Sequence, residues 1–201
     1  MEALECIKTR RSIRKFTEQP VTEDEVRQVV EAAAFAPSWK NTQIARYIVV
    51  TDKEKKDKLA DDCMLDFAFN QKTTHGAPAL VVLTMIKERS GYERDGSFST
   101  PLATHWQSFD AGIAAQTIQL AAYTRDLGCC IFLSFDPRKI REVLGIPENL
   151  EPLLVLALGF QKEVRRVETV GADGSVKYWR DAQGVHHVPK RPLEDLLIIK
   201  K

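Results

Sequence analysis

Residues 10–16, near the N-terminus, hold four cationic side chains and one hydroxyl within seven positions. An arginine guanidinium matches the oxygens of a phosphate two at a time, and a serine hydroxyl adds a further donor. Because alternate residues of an extended chain face the same side, Arg10, Ser12 and Arg14 could present their donors together. The segment indicates either an anion-binding loop or a solvated basic surface, and a run of charge alone does not separate the two.

Two helices must position this segment. The apolar spacing of residues 2–9 predicts a short helix that leads into it. Thr22 and Glu25 stand three apart, which is the spacing of a capping box, and the apolar residues behind them recur at helical spacing until Pro37. The polar loop that follows Pro37 leads into a predicted strand at residues 47–50.

The middle of the chain alternates helices with apolar strands. We predict a charged helix from Asp52 to about Phe69, and then a buried strand at residues 79–83, whose apolar run is continuous. Residues 88–104 form a long irregular excursion, which is typical of a lid, a binding loop or a disordered segment.

The most apolar helix is predicted for residues 108–127 and should lie centrally, with Gly128 as the residue that ends it. Buried strands are predicted at residues 129–133 and 153–158, with a short helix capped by Asp136 between them. Taken alone, this order of helices and strands favours a doubly wound parallel sheet.

The last forty residues differ in composition from the rest. Residues 161–189 are polar, and turn signals at residues 173–174 and 183–184 predict a hairpin. The run at residues 193–199 is too apolar for a disordered end, so we expect it to pack on something, such as a second subunit.

Composition and the absence of several motifs exclude many classes of function. The 201 residues carry a net charge of +1 and are 44% hydrophobic, as expected for one soluble domain, residues 1–201, that binds no nucleic acid. No apolar run approaches the ~18 residues that span a membrane. Four cysteines without C-x-x-C spacing, and an acidic start without a secretory signal, predict free thiols in a cytoplasmic protein. No Rossmann fingerprint, P-loop, metal site or Ser/His/Asp arrangement is recognisable.

Several sequence blocks occur in an order that resembles one known family. After the basic segment come Ala-Pro-Ser-x-x-Asn-x-Gln at 36–43, Asp-x-Gly-Ile-Ala-Ala-Gln at 110–116, Leu-Gly-Cys-Cys at 127–130, Leu-Gly-Ile-Pro at 144–147, Gly-Phe at 159–160 and Lys-Arg-Pro-Leu at 190–193. Their order and spacing resemble the nitroreductase family of FMN-dependent oxidoreductases. The resemblance covers nearly the whole chain and is weakest at residues 53–75 and 86–106.

The resemblance implies a fold that differs from the parallel sheet inferred above. It implies an α+β fold in which a mixed, largely antiparallel sheet is flanked by helices. It also implies an intertwined homodimer with two FMN sites at the interface. In that dimer residues 189–201 would wrap around the partner, and residues 88–106 would form a variable loop or lid.

The resemblance also implies which residues bind FMN. Both basic clusters would hold the phosphate, the loop after Pro37 would cover the flavin from the partner subunit, and the backbone at 131–133 would approach flavin N5 and O4. Asn70 or Gln71 would meet the pyrimidine edge, or else cap a helix or face solvent, and Gln116 would face the flavin or a local polar contact. The full set is Arg10, Arg11, Ser12, Arg14, Pro37, Ser38, Trp39, Asn41, Asn70, Gln71, Gln116, Ile131, Phe132, Leu133, Lys190 and Arg191.

The implied activity is ping-pong: NADH or NADPH reduces FMN, and a nitroaromatic, quinone or similar electron-poor acceptor then takes the electrons. Specificity is expected at residues 88–108, including Phe98, His105, Trp106 and Phe109, unless these only pack. The alternatives are a dehalogenase, an enone reductase, a flavin-degrading enzyme, or a flavin-binding protein with little turnover.

Two departures from the family pattern concern the substrate. The family often has Pro-Trp where this chain has Ile44-Ala45, and Trp-x-Gly where it has Ile131-Phe132-Leu133. Both lie near the expected cofactor, and side chains bulkier than glycine near N5 would narrow the pocket.

Overall fold

The computed structural model describes residues 2–200. The elements in chain order are α1 (Ala3–Thr9), α2 (Glu23–Ala33), a 3-10 turn (Trp39–Asn41), β1 (Ala45–Val50), α3 (Lys53–Cys63), α4 (Ala68–Gly76), β2 (Ala79–Ile86), α5 (His105–Tyr123), β3 (Leu127–Phe132), α6 (Pro137–Leu144), β4 (Leu150–Phe160), β5 (Arg165–Thr169), β6 (Trp179–Arg180), β7 (His186–Lys190) and a 3-10 turn (Leu193–Asp195). They form two compact units, Met1–Gln161 and Lys162–Lys201. A single domain over residues 1–201 stays a prediction.

The first unit is built on a four-stranded sheet in the order β1-β2-β4-β3. Each strand is antiparallel to its neighbours, so the parallel sheet expected from the element order is wrong. The α+β fold implied by the family resemblance, with a largely antiparallel sheet flanked by helices, is confirmed. A run of apolar residues predicts a buried strand, but it carries no information on the direction of the neighbouring strand.

Apolar side chains on both faces of the sheet form the core. Along β2, Val81 and Leu83 pack in the cluster that includes α2 and α5, whereas Leu80 and Val82 pack in the cluster that includes α3 and α6. Because successive strand residues point to opposite faces, a strand buried on both sides must be apolar throughout. Helices on both faces supply the cover that this strand requires.

The helix ends follow local signals where such signals exist. The Thr22 hydroxyl accepts from the Glu25 N–H, and the Glu25 carboxylate accepts from the Thr22 N–H, which confirms the capping box. Asp136 caps α6 as predicted. The single helix from Asp52 to about Phe69 is wrong, because the chain breaks at Leu65 and Asp66, whose φ angles are 48° and 54°.

Gly128 lies in β3 and does not end α5, so that prediction is wrong. A Cβ atom at Gly128 would lie 2.7 Å from Ile13 Cβ. The glycine is therefore needed for the close approach of the basic segment to β3 and not for a helix cap.

The second unit contains a three-stranded sheet in the order β5-β7-β6. β5 runs parallel to β7, and β6 pairs with β7 antiparallel through the turn at residues 181–185, which confirms a hairpin. The first strand of this hairpin, β6, is short, because its pairing with β7 covers two residues, Trp179 and Arg180. Beyond β7 the apolar side chains of residues 196–199 are exposed in the single chain.

The predicted free thiols are confirmed, since Cys6, Cys63, Cys129 and Cys130 are all unbridged and buried. Across residues 2–200, no helix is both long and apolar enough to span a membrane. The same residues contain no group of three or more His, Cys, Asp or Glu side chains suited to a metal ion.

Candidate functional site

The basic segment lies along β3 in extended conformation. The Ile13 N–H donates to the Cys129 carbonyl at 3.0 Å, and Ser12 pairs with Cys129 in the parallel sense. Ile13 is fully buried, whereas Arg10, Ser12 and Arg14 are half-buried. Burial therefore alternates along residues 10–14, and these three donor residues are the less buried ones, as expected for an extended chain.

Arg11 has a different environment from its neighbours. It is buried, and its guanidinium donates to the carbonyl oxygens of Lys8, at 2.7 Å, and of Arg10. These carbonyls belong to the end of α1, whose last carbonyls have no partner within the helix. Arg11 therefore stabilises the junction between α1 and the basic segment. The run of positive charge in the sequence did not predict this contact.

The start of α4 adjoins the basic segment. The Arg14 guanidinium lies 5.7 Å from the centre of the Phe69 ring, within range of a cation–π contact. Asn70, in the first turn of α4, is only 7% exposed, and Gln71 is half-buried. The structure thus places a buried carboxamide directly after the aromatic ring that Arg14 covers.

The end of β3 runs in the same direction as the basic segment. Phe132 is buried and Ile131 is half-buried, whereas Leu133, just past the strand, is 66% exposed. Because Ser12 pairs with Cys129 in the parallel sense, the chain from Ser12 to Arg14 follows β3 toward Ile131. The first unit thus places the basic segment next to two other parts of the chain. These are the start of α4, which carries Asn70, and β3, which ends at Phe132.

The loop of residues 37–43, named here the Trp39 loop, is closed by its own hydrogen bonds. The Ser38 hydroxyl accepts from the Gln43 N–H at 2.9 Å, and the Thr42 hydroxyl donates to the Trp39 carbonyl at 2.8 Å. Lys40, Asn41 and Gln43 have φ angles of 44°, 54° and 48°. Non-glycine residues seldom adopt this conformation, and clusters of them are typical of binding and catalytic loops.

Aromatic rings extend from the Trp39 loop to α5. The centres of the Trp39 and Trp106 rings lie 6.2 Å apart, and those of Trp106 and Phe109 lie 5.9 Å apart. Lys40 Nζ stands 4.4 Å from the Trp39 ring centre and pairs with Glu93 at 2.7 Å, which lowers the pKa of the Glu93 carboxyl. This group of three rings and one ion pair joins the Trp39 loop to residues 88–106.

The excursion at residues 88–104 is irregular, as expected, but compact. The Ser99 N–H donates to the Gly91 carbonyl at 2.9 Å, and the Tyr92 and Phe98 rings lie 5.0 Å apart. The Trp106 indole N–H donates to the Thr100 hydroxyl at 2.8 Å. These contacts favour a binding loop or lid over a disordered segment.

Gln116 is exposed, so its side-chain amide does not need a hydrogen-bond partner within the protein. It lies on the exposed side of α5, whereas Gln119 is buried.

Cys63 and Cys129 lie in the core, where burial raises the pKa of the Cys63 thiol to about 11 and raises that of the Cys129 thiol as well. Their thiols remain protonated at neutral pH, as expected for packing residues.

Lys190 and Arg191 belong to the second unit, where both are exposed. Arg191 forms an ion pair with Asp195 at 3.6 Å. That these cations meet the same phosphate as the basic segment stays a prediction.

Asp110, for which the sequence predicts no role, is a buried carboxylate of this region. Its two oxygens accept from the Trp39 N–H at 2.9 Å and from the Ser90 hydroxyl at 2.7 Å. The available signal was that Asp110 is the single acidic residue of α5. A carboxylate in such a place requires hydrogen-bond donors, which can come from distant segments.

Comparison with solved structures defines the class of protein first. An FMN-dependent nitroreductase from Clostridium difficile R20291 superposes with a TM-score of 0.65 and 27% identity, covering 80% of this chain and 88% of that one. The sheet and the helices that flank it therefore belong to a nitroreductase-type fold.

Sequence comparison then gives the family. The model of the family described as "Nitroreductase family" matches residues 7–160. An Archaeoglobus fulgidus protein with the provisional name NADH dehydrogenase/NAD(P)H nitroreductase is 33% identical over 81% of this chain and 87% of its own length. The NADPH-flavin oxidoreductase of Vibrio harveyi is 30% identical over 78% of this chain, which spans only 64% of that longer protein. The chain belongs to the nitroreductase family of FMN-dependent oxidoreductases, which confirms the resemblance found in its sequence.

Proposed function

We propose that this protein is an oxidoreductase that binds FMN and uses NADH or NADPH to reduce a small electron-poor acceptor, such as a nitroaromatic compound or a quinone. The observation that carries the proposal is the face formed by Arg10, Ser12 and Arg14 along β3. The names of the relatives from Vibrio harveyi and Clostridium difficile support the same cofactor and donor class.

The residues present suit FMN by their chemistry. Its phosphate carries about −2 charge and needs several cationic or hydroxyl donors, which Arg10, Ser12 and Arg14 offer from one face. The buried carboxamide of Asn70 has both a donor and an acceptor, as a pyrimidine edge requires. The exposed start of the connection after β3, at Leu133, leaves room for a planar group to approach the backbone.

In the reaction the protein supplies binding, orientation and exclusion of water. FMN, when bound, would accept hydride from the nicotinamide and pass electrons to the acceptor. Backbone N–H groups at residues 131–133 would stabilise negative charge near N5 and O4. The Trp39 loop and the excursion would enclose the space that donor and acceptor occupy in turn. This arrangement needs no side-chain nucleophile.

We also propose that the protein acts as a homodimer. In the single chain, Phe109 on α5 and the apolar residues 196–199 are exposed. Apolar surface of this kind is typical of an interface. The interface would bring the Trp39 loop of one subunit to the FMN of the other, which is the arrangement that the family resemblance implies.

The experiment that tests the function follows the flavin absorption of the purified protein as NADH or NADPH is added without oxygen. We expect flavin bands that bleach with the donor and return when an acceptor is added. Bands that persist with either donor would contradict the enzymatic proposal and favour a flavin-binding protein with little turnover.

A pair of neighbouring cations tests the binding face. Arg14→Ala removes a half-buried cation from the face, and Lys15→Ala removes an exposed cation beside it. We expect Arg14→Ala to weaken FMN binding roughly ten- to hundredfold, as the loss of a charged hydrogen bond does, and Lys15→Ala to change it by less than about threefold. Equal affinities, measured by flavin fluorescence titration, would count against the proposed face.

A further inference from the structure

One buried carboxylate, that of Asp110, binds the backbone at the start of the Trp39 loop. We propose that Asp110 is a positioning residue that fixes the Trp39 loop in its binding conformation and couples it to the excursion at residues 88–104. The inference rests on the proposed function, because the purpose of the loop is taken to be contact with FMN and the acceptor.

Asp110 connects three segments that are far apart in the sequence. From its place in α5, it accepts one hydrogen bond from the Trp39 N–H at 2.9 Å and one from the Ser90 hydroxyl at 2.7 Å. Asp110 is 3% exposed and Ser90 is fully buried. Because both residues are buried, the loss of either hydrogen bond would leave a polar group without a partner away from water, which is costly.

The conformation of the Trp39 loop needs this external support. The bonds from Gln43 to Ser38 and from Thr42 to Trp39 set the shape of the loop but do not attach it to the sheet or to α5. Left-handed backbone at Lys40, Asn41 and Gln43 costs free energy and persists only where the surroundings enforce it. The Trp39 N–H, which begins this strained stretch, is the group that Asp110 binds.

Packing around Ser38 and Gln43 is incomplete. A cavity of about 150 Å³, partly open to solvent, is lined by these residues together with Asp110 and Ala114 among others. A cavity removes the close contacts that would otherwise hold a segment rigidly. Two further polar attachments, the ion pair of Lys40 with Glu93 and the hydrogen bond from the Arg46 guanidinium to the Gln43 carbonyl at 3.0 Å, are exposed to solvent and therefore weak.

Asp110 also ties the loop to the excursion. Ser90 stands near the start of the excursion, and Trp106, in the first turn of α5 just after the excursion, packs near Trp39. Loss of the carboxylate should release both segments together. We therefore expect a change in acceptor binding as well as in FMN binding, with the KM for the acceptor rising more than kcat falls.

The test compares Asp110→Ala with Asp110→Asn. Alanine removes both hydrogen bonds, whereas the asparagine carbonyl still accepts from the Trp39 N–H and its amide can donate to the Ser90 oxygen. We expect Asp110→Ala to weaken FMN binding about ten- to hundredfold, and Asp110→Asn to restore affinity to within about threefold of wild type. The matched control is Asp62→Ala, which removes an exposed carboxylate from α3 and should leave binding unchanged.

A second measurement does not depend on flavin. Trypsin cleavage after Lys40, followed by mass spectrometry on the protein without FMN, should be slow in wild type and at least several times faster in Asp110→Ala. If Asp110→Ala does not fold, Ser90→Ala removes one of the two bonds with little change in volume. Ser90→Ala should also weaken FMN binding and speed trypsin cleavage after Lys40, but by less than Asp110→Ala does.

Three outcomes decide the matter. Wild-type affinity for FMN together with wild-type resistance to trypsin in Asp110→Ala would overturn the inference. Equal losses in Asp110→Ala and Asp110→Asn would also overturn it, because the effect would then follow charge and not the hydrogen bond to Trp39. Failure of the wild-type protein to bind FMN would overturn the proposed function instead, and trypsin cleavage would still test the attachment of the loop.

Discussion

The two sheets of this protein are stabilised by different interactions. In the first unit, the residues of β2 from Ala79 to Met85 are all buried, and apolar side chains cover both faces of the sheet. In the second unit, β5 and β6 are largely exposed, and charged hydrogen bonds link His187 of β7 to Glu168 of β5 and to Asp181, just after β6. One sheet depends on apolar burial, which is nearly independent of pH, and the other on charges that titrate.

His187 is the centre of the charged contacts in the second unit. Its Nδ1 lies 2.7 Å from Glu168 Oε1 and its Nε2 lies 3.1 Å from Asp181 Oδ2, while its ring stacks on Trp179 at 3.9 Å. The Arg180 guanidinium pairs with Glu163 in the same unit. Since both carboxylates accept, the imidazole bonds both of them best when it is protonated. The bond to Glu168, and then that to Asp181, raises the pKa of His187.

The largest effect should follow a cavity in the first sheet. Leu156, in β4, is fully buried, so Leu156→Ala should reduce the free energy of unfolding by about 2–5 kcal/mol. The counterpart in the second sheet is Val167→Ala in β5, where the side chain is 48% exposed and the loss should stay below about 0.5 kcal/mol. Urea denaturation measures both. A loss at Val167 as large as that at Leu156 would break the distinction between the two sheets.

A smaller effect should follow a methyl group added where the basic segment meets the first sheet. At Gly128 the new Cβ would lie 2.7 Å from Ile13 Cβ, so the segment must move. Gly128→Ala should reduce the free energy of unfolding by about 1–3 kcal/mol and weaken FMN binding, because Ser12 and Arg14 flank Ile13.

The control for this substitution is Gly76→Ala, since an added Cβ at Gly76 meets no atom within 4 Å. Denaturation and flavin titration would both be measured on the two variants. If Gly128→Ala kept full stability and FMN affinity, the close approach of the basic segment would have no functional importance.

The same contrast explains which parts of the fold were predictable. Uninterrupted apolar runs predicted the strands at residues 79–83 and 153–158, but they contain no signal for strand direction, and the antiparallel order came from the family resemblance. The break after Cys63 was missed because non-glycine residues, Leu65 and Asp66, adopt the left-handed turn. Local patterns identify elements, whereas pairing depends on contacts between distant residues.

In the candidate site, too, local features were predictable from the sequence and contacts between distant residues were not. Alternation along an extended chain correctly set Arg10, Ser12 and Arg14 apart from buried Ile13. The contacts of Asp110 were not predictable, because its partner Trp39 lies 71 residues away in the sequence. Periodicity shows which side chains share a face, but it cannot show which distant backbone group a buried carboxylate will bind.

The smallest effect should come from His187→Gln and should depend on pH. A raised histidine pKa means that the stabilising contribution is fully present below the ordinary value of about 6.5 and is lost as the pH rises through the folded value. The hydrogen bond from His187 also lowers the pKa of Asp181, so that contribution is lost as the pH falls through the lowered carboxyl value. The contacts are therefore strongest between the ordinary carboxyl pKa of about 4 and the ordinary histidine pKa of about 6.5.

Hydrogen exchange at the His186 N–H, which donates to the Val164 carbonyl at 2.9 Å, reports on this sheet directly. After correction for intrinsic rates, wild-type protection at pH 6 should exceed that at pH 9 by roughly two- to fivefold, and His187→Gln should remove the difference. His75→Gln is the matched control, since His75 also bonds two carboxylates, Asp57 and Asp61, but does so in the first unit. If the pH dependence at His186 survives in His187→Gln, charge is not what distinguishes the second sheet from the first.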